Sequence, residues 1–366
     1  MYRKLLYSSI LATSIFSLLL APAATFAEPA TSGTLTAADG KKVKVVHSEK
    51  MKVADVKLKD VVTKAKDAVK EEKAKSKSET YDYILFDDQQ IYTYEETPTS
   101  PDGELVVSDA TTPAFSAMAT SGQTDFIDDG VGGKQKISKI GSVGSYLSTV
   151  LKLPTGSSQV SDVSSSHSPY NYAGFEYTNT ANSGIGSWQS DMGLQYYQNL
   201  GFSGTASGWK PILTLKQKTG ADTWTAYQIN FDSTYNQAQY HNGFKPGTST
   251  TIYTYYNYNG KVRMKLTGTT ICQDMACNVS GDYSNTTIME SNAAWNITKI
   301  DDFKLLSTVV SSNNTGLNKA VYSSIKVDGV AVPSSYFLTP QQDHALVTRD
   351  SSNTVTIDVN SSLYTF

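Results

Sequence analysis

The hydrophobic pattern of this chain changes period once. Met51, Ala54, Leu58, Val61, Ala65 and Ala68 recur at alternating spacings of three and four, which predicts a helix with one narrow apolar stripe. Asp60, Asp67, Glu71 and Glu72 interleave with Lys64, Lys66, Lys70, Lys73 and Lys75 around the rest of it. Such i,i+4 pairs add only a few tenths of a kcal/mol each. A stripe this thin, rich in Ala and Val, predicts a helix that docks on something rather than standing alone. Directly after it, Tyr81-Asp82-Tyr83-Ile84-Leu85-Phe86 and Ile91-Tyr92-Thr93-Tyr94 flank the polar Asp87-Asp88-Gln89-Gln90, a hairpin pattern.

Beyond residue 137 the period is two. Strands are predicted over residues 146–153, 172–177, 191–197, 211–217, 224–232, 251–258, 261–267, 295–300, 303–309, 320–327 and 355–359. The clearest hairpin has Asn259-Gly260 at its tip, the pair that supplies two positive φ angles to a type I′ turn. So many short strands without a helix predict a mainly β fold, a two-sheet antiparallel β-sandwich of concanavalin-like jelly-roll type, with an up-and-down barrel as the alternative. The stretch 97–136 is polar, with Pro98, Pro101, Pro113 and Gly130, Gly132 and Gly133, and is expected as a linker. The expected organisation is a signal peptide over 1–27, a lysine-rich helix and hairpin over 28–96, a polar linker over 97–136 and a β-sandwich over 137–366.

The signal peptide is read from Arg3 and Lys4, an apolar run to Ala21, and Thr25-Phe26-Ala27 with small residues at −3 and −1. Cleavage is expected after Ala27, which makes the protein secreted, either extracellular or wall-associated. Ser8, Ser9, Thr13, Ser14 and Ser17 make the run too polar for a good anchor, and no membrane span is expected. Removing Arg3 and Lys4 from a net charge of −3 leaves −5. Residues 28–80 carry +4 and residues 81–366 carry −9, so the folded body is acidic and nucleic acid is not an expected partner. The basic N-terminal part either meets anionic wall polymers or is a solvated helix face.

Chemistry is sparse. Four His are scattered, and no G-x-S-x-G elbow accompanies His167, His241 or His344. Asp125, Asp128 and Asp129 lack the spacing of a calcium loop; neither metal nor cofactor is expected. Cys272 and Cys277 are close enough to form a disulfide outside the cytoplasm, and they lack the C-x-x-C spacing of a redox pair. Glu176 and Glu290 are candidates for a paired-carboxylate site, with Asp191 or Asp232 as partners, against the reading of solvated strand carboxylates. The most unusual feature is aromatic: of 23 Tyr and 4 Trp, 12 Tyr and 3 Trp crowd between residues 170 and 258. Tyr and Trp offer a flat apolar face and a polar tip, which suits sugars as well as cross-strand pairing. Trp188, Tyr196, Trp209 and Trp224 are the expected ligand-binding residues, for a cell-wall or extracellular polysaccharide.

Trp188-Gln189-Ser190-Asp191-Met192-Gly193-Leu194-Gln195-Tyr196 and Gly208-Trp209-Lys210-Pro211-Ile212-Leu213 resemble the YrpD-type secreted proteins of Gram-positive bacteria. Tyr172-Ala173-Gly174-Phe175-Glu176 and Asn259-Gly260-Lys261-Val262 fit the same resemblance, which covers about residues 137–330 and implies an exported protein without an established activity. The chain is more weakly similar to the glutamic peptidases, secreted two-sheet sandwiches that activate water with a Gln and a Glu. That similarity implies the sandwich and matches Gln189, which follows Trp188, whereas Glu290 stands four residues before the place of the peptidase Glu. The peptidase Glu stands directly before a Trp, and Ala294 holds that place before Trp295 here. Three functions therefore stand open: a non-catalytic glycan-binding protein, a secreted hydrolase using Gln189 or Gln195 with Glu290, and a structural wall or biofilm component.

Overall fold

The computed structural model describes residues 31–47, 53–87, 90–109, 130–138, 145–161, 167–177, 188–197, 207–218, 224–230, 242–272, 281–291, 297 and 299–365. The leader expected over 1–27 lies outside them. The N-terminal part comprises β1 (Thr31–Thr36), β2 (Lys42–His47), α1 (Asp55–Lys73), β3 (Thr80–Asp87), β4 (Gln90–Thr97) and β5 (Ser100–Asp109). There follow β6 (Gly130–Ser138), β7 (Tyr146–Lys152), β8 (His167–Tyr177), β9 (Trp188–Tyr197), β10 (Gly208–Lys218), β11 (Trp224–Asn230) and β12 (Asn242–Phe244). Next come β13 (Ser249–Tyr258), β14 (Lys261–Cys272), β15 (Asp282–Ser291), β16 (Asp302–Ser311) and β17 (Leu317–Val327). The chain ends with β18 (Val330–Ala331), β19 (Gln341–Asp343), β20 (Ala345–Arg349) and β21 (Val355–Asn360).

These strands form a β-sandwich. The long sheet runs β1-β2-β5-β4-β3-β15-β14-β13-β7-β17-β21-β20, and the short sheet runs β11-β10-β9-β8-β16-β6-β19. β12 pairs with both β10 and β14 and joins the two layers at one corner. Alternation decides what lies between them. Ile252, Tyr256, Met264, Leu266 and Met289 of the long sheet meet Phe175, Leu194, Trp209, Phe303 and Leu305 of the short sheet in one buried core. Two ladders, β2–β5 and β3–β15, are parallel, so the pairing is not purely antiparallel.

A second core lies on the other side of the long sheet. α1 lays Leu58, Val61, Val62, Ala65, Ala68 and Val69 against Tyr81, Tyr83, Leu85, Tyr92, Tyr94 and Ile288. The helix thus docks, as its thin stripe requires. Its lysines are largely engaged: Lys57 pairs with Asp87, Lys64 with Asp60, Lys66 with Asp39 and Lys73 with Glu96.

The expected domain boundaries are corrected in two places. The stretch 97–136 holds β5 and most of β6 rather than a continuous linker. The hairpin β3–β4 is joined to the sandwich, because β3 runs beside β15 from Thr80↔Asn285 to Phe86↔Ser291. Of the strand expected over 295–300, Ile297, Lys299 and Ile300 are described, and they are not in a strand.

Candidate functional site

The aromatic residues expected to bind ligand divide into buried and undescribed. Trp209 is wholly buried and Tyr196 is 4% exposed. They stand directly opposite each other on β10 and β9, with ring centroids 5.0 Å apart, inside the sandwich. This corrects the expectation that they line a binding surface: their strands alternate, and both fall on the interior face. The side chains of Trp188 and Trp224 lie outside the described residues, as do Cys277, the side chain of Cys272, and therefore the expected disulfide.

The catalytic set of the hydrolase reading does not converge. Gln195 alternates with the core residues Leu194 and Tyr196, so it points away from the core on the short sheet, donating from Nε2 to Ser168 Oγ and accepting from the Tyr197 hydroxyl. Glu290 alternates with the core residue Met289 and faces outward from the long sheet, where it binds Arg263 Nε at 3.0 Å, Lys261 Nζ at 3.3 Å and the Tyr83 hydroxyl at 2.7 Å. The two therefore occupy opposite outer faces of the sandwich. Gln189 shares the register of Glu176 on β9, with its side chain outside the described residues. His167 bonds Thr315, and His344 bonds Asp343. Among the described residues no three His, Cys, Asp or Glu are grouped to hold a metal; Asp125, Asp128, Asp129 and His241 lie outside them.

Two clusters emerge instead. The first is a tyrosine face on the long sheet, beside α1. Inward Ile252, Thr254 and Tyr256 leave Tyr253 and Tyr255 of β13 outward, and Tyr146 stands directly opposite Tyr255 across β7. Tyr146, Tyr253, Tyr255 and Tyr258 are all half-buried. Their rings follow one another: Tyr146 lies 6.1 Å from Tyr253 and 4.9 Å from Tyr255, and Tyr255 lies 5.2 Å from Tyr258. Lys265 Nζ sits 4.1 Å from the Tyr253 ring centroid and the Arg263 guanidinium 4.0 Å from that of Tyr258, holding the rings by cation–π attraction. Burial pushes the hydroxyls of Tyr255, Tyr146 and Tyr258 above their usual pKa, so they stay neutral donors at any physiological pH. The run of tyrosines over 253–258 signals this face in the sequence; its partner Tyr146 is visible only from the register.

The second cluster lies on the outer face of the short sheet, where Lys304 and Asp302 of β16, Glu176 of β8, Asp191 of β9 and Lys134 and Lys136 of β6 meet. Glu176 accepts Lys134 Nζ at 3.0 Å and Lys136 Nζ, and Lys304 Nζ stands 2.7 Å from Asp191 Oδ1. Burial opposes ionisation of Glu176, but Lys304, Lys134 and Lys136 outweigh it and hold the carboxyl at about 2. Asp302, directly across from Glu176, is pushed up to about 7 by burial and by that neighbouring carboxylate. Burial likewise lowers the Lys134 ammonium. Beside the charges, Tyr172, Ile212 and Leu306 form a small apolar patch with Tyr170, whose ring stacks 5.3 Å from that of Tyr172. Of the paired carboxylates expected from sequence, Glu176 and Asp191 do share this face, whereas Glu290 is on the other sheet. Lys134, Lys136, Asp302 and Lys304 are missed because a strand alternating charged with apolar residues reads as a solvated face.

Fold and site together define a β-sandwich with a tyrosine face on one sheet and a buried ionic cluster on the other. Residues 124–359 match the family model described as a domain of unknown function, YrpD. The chain belongs to the YrpD family. It is 28% identical over 251 residues, 68% of this chain and 88% of the relative, to the uncharacterized protein YrpD of Bacillus subtilis (strain 168). Among solved structures it is similar to scytalido-glutamic peptidase bound to a transition-state analogue, with a TM-score of 0.34 and 12% identity over 64% of this chain and 100% of that one. A Bacteroides ovatus mixed-linkage glucan GH16 protein gives a TM-score of 0.27 and 8% identity over 75% of this chain and 81% of that one.

Proposed function

We propose that this protein is exported and holds an extracellular or cell-wall polysaccharide on the tyrosine face of the long sheet. The observation that carries this reading is the unbroken row Tyr258–Tyr255–Tyr146–Tyr253, half-buried and braced by Arg263 and Lys265. Rings fixed in this way present apolar faces to the C–H side of a sugar at little entropic cost, while the hydroxyls of Tyr146 and Tyr255 meet its hydroxyl groups; Lys265 is tied to Glu72 and the Tyr258 hydroxyl to Glu71. The leader-like order of Arg3, Lys4, the apolar run and Thr25-Phe26-Ala27 supports export. Affinity electrophoresis through gels cast with cell-wall polysaccharide tests the reading. The unaltered protein is expected to be retarded, and Tyr253→Ala with Tyr146→Ala to migrate as in a gel without polysaccharide. Equal retardation of both proteins, or of neither, overturns it.

A further inference from the structure

Lys304 sits in β16 with its side chain only 2% exposed, and its Nζ reaches Asp191 Oδ1 at 2.7 Å. The two strands are not neighbours; β8 runs between them. The residue of β8 paired with Lys304 is Gly174, and a Cβ there would come within 3.3 Å of Lys304 Cε. A glycine thus clears the path along which the lysine crosses the middle strand. Glu176 lies two residues along β8, with Oε1 3.9 Å from the same Nζ. Three adjacent strands therefore assemble an amine, a carboxyl group beside it and a second carboxylate near the same amine.

Burying an ammonium and a carboxylate together costs desolvation that their attraction repays only in part. The same cost falls on two neighbours in the cluster, where burial favours the neutral forms of Asp302 and Lys134. Joining Lys304 to Asp191 removes one charge of each sign while keeping the two strands tied. We propose that Lys304 and Asp191 condense into a side-chain amide, an internal cross-link of β16 to β9 over Gly174.

The step balances without an oxidant or a cofactor. A proton passes from the Lys304 ammonium to the Asp191 carboxylate, giving amine and acid. The amine lone pair attacks Cγ and forms the C–N bond. Glu176 takes the remaining excess proton from nitrogen and delivers it to the departing hydroxyl. The C–O bond breaks, one water leaves and Glu176 is again a carboxylate. Lys134 and Lys136 hold Glu176 in place and keep it ionised, so it stands ready as a carboxylate to take the proton and, as a strong acid once protonated, gives it up at once to the departing hydroxyl.

Mass spectrometry of the full mature chain, reduced and denatured, tests the proposal. The expected mass is lower than the calculated one by one water, and a digest is expected to yield a branched peptide joining residues 191 and 304. Lys304→Arg is expected to show the full mass and no branched peptide. Glu176→Gln is expected to keep the strand signature in circular dichroism while losing the cross-link. A full mass for the unaltered protein overturns the proposal, as does a water loss located elsewhere in the chain. Cross-linking undiminished in Glu176→Gln overturns the proton-carrier role.

Discussion

Glu176 and Asp302 face each other across β8 and β16, yet the first holds its proton only below about 2 and the second up to about 7. Lysines decide the difference: three surround Glu176, whereas Asp302 meets Lys136 at 3.9 Å and has a buried Oδ1 without a hydrogen bond among the described residues. The two carboxyls therefore act on stability in opposite directions. Glu176 is lowered from 4.5, so its contribution of about 3 kcal/mol is present above pH 4.5 and is lost as pH falls toward 2. Asp302 is raised from 3.8 to about 7, so the unfolded chain gives up its proton first and the stability loss builds between those two values to about 4 kcal/mol, complete above pH 7. Asp302→Asn is expected to raise the unfolding midpoint at pH 8 by several degrees and at pH 5 by well under half as much. Calorimetry at the two pH values checks this; an equal shift at both would mean that Asp302 does not titrate in that window.

Gly174 and Gly193 lie where strands approach too closely for a side chain. A Cβ on Gly174 would meet Ser190 O at 2.0 Å, and one on Gly193 would meet Asn171 O at 2.0 Å. Neither obstacle is a flexible side chain, so the ladder itself must move. Gly174→Ala and Gly193→Ala are each expected to cost about 2–4 kcal/mol in urea unfolding. Gly33→Ala, in β1 with nothing within 4 Å, is the control and is expected to cost less than about 1 kcal/mol.

Trp209 separates packing from binding. It fills the core against Tyr196 with no exposed surface. Trp209→Ala is therefore expected to cost about 3–5 kcal/mol, as cavity-forming truncations of large aromatics do. At temperatures where that variant remains folded, its retardation by polysaccharide should equal that of the unaltered protein. A loss of retardation with the fold intact would return Trp209 to the binding surface.

The structure shows which parts of this arrangement the residues announce. Asn259 and Gly260 take the positive φ angles, 53° and 82°, that their type I′ pattern requires. The strands with alternating apolar residues, β13 and β14 among them, stand where the period of two places them. β15 escapes because its inward side is polar: Asn285 and Thr287 donate to Asp82 in a buried network, so apolar alternation is missing. β5 escapes because Pro101 and Gly103 read as loop residues, although it pairs with β2 and β4. For the sites, spacing along one strand says which residues share a face but not which face is covered. Trp209 and Tyr253 illustrate this, since either aromatic suits a core or a surface and only the partner sheet separates them.

The outer end of the row Glu290–Arg263–Tyr255–Tyr146 gives the last prediction. These four residues are in register across β15, β14, β13 and β7. Glu290 is 5% exposed and Arg263 is 3% exposed, and the Tyr83 hydroxyl donates to the same carboxylate. Replacing the arginine leaves a buried carboxylate with only Lys261 and Tyr83, so Arg263→Met is expected to cost about 3–5 kcal/mol. Removing the charge as well should undo most of that loss, because Arg263→Met with Glu290→Gln leaves no buried carboxylate unpaired, and Lys261, whose side chain is 23% exposed, reaches water. Urea unfolding of the two single variants and the double variant measures the coupling. If the double variant is destabilised by the sum of the singles, the pair is not the closed ionic contact described here. Arg263 also braces the Tyr258 ring, so Arg263→Lys, which keeps the charge but loses the planar fork, should preserve more stability than polysaccharide retention.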